Sequence, residues 1–66
     1  MRVSYDRHTD TVVVELRAGV AVAESDEGGP GVVFDWDAEG NLVSIEILDA
    51  SRRVSGPDVV DMVVTS

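Results

Sequence analysis

The sequence predicts a mainly β protein: an antiparallel β-meander of four to five strands in a single domain over residues 1–66, or α+β if its tail is helical. Two observations carry this reading. Apolar and polar residues alternate with period two in runs of five to seven residues, rich in Val and Ile. The runs are separated by clusters of Gly, Asp, Asn and Pro, which are the residues of turns.

Met1, Val3 and Tyr5 share one face of the first run, and Arg2 and Ser4 the other. Asp6 to Asp10 supplies a turn, and Thr11 to Arg17 alternates again with Val12, Val14 and Leu16 inward, so the pair reads as a hairpin. Ala18-Gly19 breaks the pattern. Val20 to Glu24 reads as a weaker strand with Val20 and Val22 inward, and Ser25 to Gly31 as a loop, given its three glycines and a proline. Val32, Phe34 and Trp36 form the inward face of the next strand. Ala38 to Asn41 reads as a four-residue hairpin loop, since Gly40 and Asn41 both tolerate positive φ. Leu42 to Leu48 returns with Val43, Ile45 and Ile47 inward. Parity pairs Trp36 with Val43, Phe34 with Ile45 and Val32 with Ile47, because a one-residue slip would expose one strand's apolar set. Asp49 to Arg53 is polar and leaves the strand. Ser55-Gly56-Pro57-Asp58 has the form of a helix start, although Val59 to Val64 is β-branched; a short helix is expected there.

Composition limits the functions open to the chain. With 66 residues, apolar burial and chain entropy nearly cancel, and such domains gain help from disulfides, a metal or a partner chain. There is no Cys, so the first and any thiolate metal site are excluded; association, as a homodimer or with a protein partner, is the expected source of stability. The net charge is −8, and the five positive residues are Arg2, Arg7, Arg17, Arg52 and Arg53. Such a surface repels phosphate, so neither nucleic acid nor an anionic membrane is expected as a partner. No run is long enough to span a bilayer and no signal segment precedes the first strand, which makes the cytoplasm the expected location.

Val3-Ser4-Tyr5-Asp6, Asp10 with the strand Val12 to Leu16, Gly31 to Asp37 with Gly40-Asn41-Leu42-Val43, and above all Ile45-Glu46-Ile47-Leu48-Asp49-Ala50-Ser51 carry a family likeness. Over these segments the chain resembles the small prokaryotic proteins of domain of unknown function 2283, with Trp36 where the family more often has Tyr. The resemblance implies a compact β-meander with a terminal helix. It implies no activity and no catalytic residues; some members resemble the small partner in paired toxin–antitoxin-type systems.

The residues themselves offer few sites. Asp35, Asp37 and Glu46 fall on the outward face of the second hairpin, where carboxylates at i and i+2 are placed to bind a divalent cation or to act as an acid–base pair. The competing reading, a solvated face that guards a sheet against aggregation, is favoured because a Ca²⁺ site takes about six or more oxygens. Asp26-Glu27-Gly28-Gly29 lacks the ligand spacing of a calcium loop and the pattern of a phosphate cradle. His8 stands alone in a polar turn, and no serine has a hydrolase elbow around it. Phe34 and Trp36 read as core or interface aromatics. No cofactor is expected. The sequence points to a non-enzymatic interaction module, and the alternative is a small metal-dependent enzyme or metal-binding protein using the outward carboxylates.

Overall fold

Strands β1 (Arg2–Asp6) and β2 (Thr11–Glu15) form the first hairpin of the computed structural model, which describes residues 1–54. Strands β3 (Glu24–Gly29), β4 (Val32–Trp36) and β5 (Leu42–Ile47) follow, and one turn of helix, α1 (Ala50–Arg53), ends the described chain. The five strands make one antiparallel sheet in the order β1-β2-β5-β4-β3. The protein is thus mainly β, as its alternation predicts.

The order departs from a simple meander once: β2 pairs with β5, not with β3. Polarity explains this. The apolar strands β2, β5 and β4 take the centre, while β3, with the sequence Glu-Ser-Asp-Glu-Gly-Gly, takes an edge where its side chains stay wet. The link between β2 and β3 runs past the ends of the two strands it skips. The N–H groups of Leu16 and Arg17 donate to the Val43 carbonyl (2.8 and 3.2 Å), and that of Ala23 to the Trp36 carbonyl (2.8 Å).

Several sequence expectations change. The third strand is not Val20 to Glu24 but Glu24–Gly29, which apart from Glu24 falls in the segment read as a loop, and Val22 is 50% exposed rather than inward. Pairing with β4 overrides the weak strand propensity of acids and glycine. The turn that makes this hairpin is Pro30-Gly31, with Gly31 at φ +75°, the arrangement of a type II turn. At the other end of β4, Phe34 faces Ile45 and Val32 faces Ile47 as parity requires, but Trp36 faces Leu42, not Val43. A bulge between Asp35 and Trp36 absorbs one residue, and the loop shortens accordingly. The Asp37 N–H donates to the Asn41 carbonyl (2.9 Å) and the Gly40 N–H to the Asp37 carbonyl (3.2 Å), leaving Ala38, Glu39 and Gly40 as the loop. Gly40 has φ +83°, as a three-residue loop of this kind demands.

Register places Val3, Tyr5, Val12, Val14, Ile45, Ile47, Val32 and Phe34 on one face. Among the described residues only Val12, Val43 and Ala50 are buried apolar residues, and no large side chain is fully buried. Met1 and Leu16, expected inward, are 70% and 38% exposed because each lies beyond the end of its strand. The helix start expected at Ser55 to Asp58, and the apolar tail after it, lie outside the described residues. Among the described residues no helix is long and apolar enough to cross a membrane.

Candidate functional site

On the opposite face, alternation sets out two rows across the sheet, one wholly polar and one in which polar side chains alternate with valines. One row holds Arg2, Glu15, Ser44, Asp35 and Ser25; the next holds Ser4, Val13, Glu46, Val33 and Glu27. Asp35 stands on the face predicted for it, but it is not solvated: it is 5% exposed. The Ser25 and Ser44 hydroxyls each donate to its carboxylate at 2.7 Å. Burial pushes this carboxyl up, but hydrogen bonds from Ser25, Ser44 and Glu46 outweigh it and hold Asp35 below the usual aspartate value. Glu46, one step along the neighbouring strand, is pushed up, first by its hydrogen bond with Asp35, then by burial and by the Asp35 charge. The pair's affinities for a proton are thus pushed apart, with Glu46 the member that takes one up first as pH falls.

Asp37, the third acidic candidate, is separated from this pair by the bulge and organises the turn. One oxygen accepts the N–H groups of Glu39 (2.9 Å) and Asn41 (2.8 Å); the other accepts from the Arg17 guanidinium (2.9 Å) and the Asn41 amide (3.3 Å). The Asn41 N–H is the foremost of the contacts that lower its carboxyl. Asp35 and Glu46 are thus brought together and Asp37 is not. No group of three or more His, Asp or Glu side chains among the described residues is placed to hold a metal ion. His8 is exposed, and its N–H donates to Asp6 (2.8 Å) within the first turn.

A third constellation was not singled out from the sequence. Asp10, at φ +53°, accepts the Tyr5 hydroxyl (2.7 Å), the Ser51 hydroxyl (2.7 Å) and the Ser51 N–H (3.1 Å). The Ala50 N–H donates to its carbonyl (2.8 Å), so the first turn clamps the start of α1. Hydrogen bonds from Ser51 and then Tyr5 lower the Asp10 carboxyl. The available signal was that Tyr5, Asp10 and Ser51 all lie in segments that carry the family likeness.

One cavity of about 440 Å³ opens at the corner where β3 meets the β4–β5 turn. It is lined by Glu24, Asp26, Trp36, Asp37 and Glu39, among others, and touches neither Asp35 nor Glu46. Both serine protons beside the Asp35 pair are engaged.

Fold and constellations define a class: a small single-sheet β domain whose polar clusters fasten strand to strand and turn to helix. Residues 2–51 match the family model described as protein of unknown function, DUF2283, and the chain belongs to that family. No curated protein and no solved structure matches it.

Proposed function

We propose that the protein is an interaction module that forms a homodimer, with a second copy covering the apolar face of the sheet. The observation behind this reading is that face itself: it extends across β1, β2, β5 and β4, and its residues other than Val12 and Val43 stay partly open to solvent. An antiparallel sheet needs one face covered. The four strands that carry it, spaced about 4.8 Å apart, span roughly 19 Å, whereas a helix covers a strip about 10 Å wide. A second copy has the matching breadth, and two sheets packed about 10 Å apart bury both inner faces. The polar rows around Asp35 then face outward, which keeps the two charges of −8 apart and screened by salt.

Light scattering at micromolar concentration tests this. The expected mass is that of two chains, with an unfolding midpoint that rises with protein concentration. A mass of one chain that stays folded on dilution would overturn it.

A further inference from the structure

We propose that the outer edge of β3 is a docking site for an extended, basic segment of a partner protein, with an arginine or lysine side chain of that segment seated in the corner cavity beside Trp36. This site lies at the β3 edge of the face that the dimer reading covers, and it is tested without reference to that reading.

β3 is the terminal strand of the described sheet, and every residue from Glu24 to Gly28 is exposed. One of its two rows of backbone N–H and C=O groups therefore faces no strand of that sheet. An added strand pairs with such a row through the main chain and gains specificity from side-chain seats at alternate positions. The seat here is built by register. Glu24 lies opposite Trp36 and Asp26 opposite Phe34, so two carboxylates and two aromatic rings alternate on one face. The rings meet edge to face, with centroids 6.3 Å apart and planes at 68°. The cavity volume of about 440 Å³ is ample for a guanidinium or ammonium group with its aliphatic stem.

Charge decides the occupant. The Asp37 carboxylate is occupied by Arg17 and the turn, but the side-chain carboxylates of Glu24, Asp26 and Glu39 have no hydrogen bond or ion pair among the described residues. A cation placed among them gains from the carboxylates and from the Trp36 ring together. A second copy pairing at this edge would set Glu24, Asp26 and Glu27 against their own kind, which like-charge repulsion disfavours. Acids on an edge strand bar self-association, and the same acids attract a strand of opposite sign.

Trp36 is the sole tryptophan and reports on its own site. The probe is the capped peptide Arg-Val-Arg-Val-Arg, titrated against the full chain while Trp36 fluorescence and binding heat are followed. The expected result is a saturable change that weakens by at least about tenfold when Gln replaces Arg in the peptide, and again when alternate peptide nitrogens are methylated. The variant Glu24→Gln with Asp26→Asn should bind the Arg peptide at least about tenfold more weakly while keeping its circular dichroism. Absence of binding at millimolar peptide overturns the proposal. Equal binding of the Gln peptide removes the charge argument and overturns it. Equal binding of the methylated peptide, or of N-acetyl-arginine amide alone, overturns strand addition in favour of a simple cation pocket. Both peptide controls use the unmodified protein, so they decide the question even if the double variant fails to fold.

Discussion

Gly28 is exposed, yet a side chain cannot be added there without moving its neighbour. A Cβ would stand 2.2 Å from Cε2 of Phe34, whose ring lies over the glycine from the adjacent strand. The absent side chain gives the ring its seat. Gly28→Ala must push Phe34 out of place and should cost about 1–3 kcal/mol, read as a lower urea midpoint. In a Phe34→Leu background, which removes the ring, the same substitution should cost much less. Equal losses in both backgrounds would show that backbone conformation, not the ring, demands glycine. Gly40 is the contrasting case: nothing lies within 4 Å of a Cβ built there, and only its φ of +83° requires glycine.

At the scale of elements, the row through Asp35 ties three strands together by side chains as well as by the ladder. Its pH dependence has a definite sign. Glu46 holds its proton more tightly in the folded chain than in the unfolded one, because Asp35 accepts from it. That contribution is complete below the unfolded glutamate value and is lost as pH rises through the raised folded value. Asp35 runs the other way: its contribution is present above the ordinary aspartate value and is lost as pH falls through its lowered one. Stability should therefore be greatest in mild acid and fall toward neutrality. Glu46→Gln, whose amide donates to Asp35 at every pH, should flatten that decline and raise stability at neutral pH by about 1 kcal/mol. A decline identical in the variant would assign the effect to the general repulsion of a chain at −8. The clamp on α1 gives a second test. Asp10→Ala removes acceptors for Tyr5 and Ser51 at once, so the amides of Ser51 and Val54 should exchange hydrogen faster while those of β4 and β5 keep their protection. Equal acceleration across the sheet would mean that Asp10 supports the whole fold rather than the helix. Which elements were legible from sequence follows the same physics. β1, β2, β4 and β5 announce themselves because half their residues are apolar at period two. β3 does not, since Glu-Ser-Asp-Glu-Gly-Gly pairs through its backbone and carries no periodic signal. The Trp36–Leu42 register was missed because a bulge obeys turn geometry, not parity. Asp35 and Glu46 were legible as neighbours on the polar face. That Asp35 is buried and held by two hydroxyls depends in part on Ser25, which the sequence placed in a loop.

At the scale of the whole molecule, charge and apolar surface are sorted to different places. The open apolar face crosses the central strands, the Asp35–Glu46 pair lies on the reverse, and the Glu24 and Asp26 carboxylates stand at the β3 edge of the apolar face. Salt should therefore act on the two proposed contacts in opposite senses. It strengthens dimerisation by screening repulsion between the chains, and it weakens capture of a basic segment. Dimer mass measured at low and high ionic strength checks the first, and an interface that loosened with added salt would contradict it. The link from β2 to β3 also sets how the chain reaches this state. β3, β4 and β5 follow one another through tight turns, so their pairing closes short loops. β2 meets β5 only when Val12 finds Ile47 across the whole three-stranded unit, and the entropy of that closure is lost before any contact rewards it. Folding should then proceed from the later strands to the first hairpin. Gly40→Ala, which strains the β4–β5 turn, should slow refolding, whereas Val12→Ala should leave the refolding rate nearly unchanged and speed unfolding instead. Stopped-flow mixing in urea separates the two limbs, and a refolding rate sensitive to Val12 would place the closing of β2 on β5 at the barrier itself.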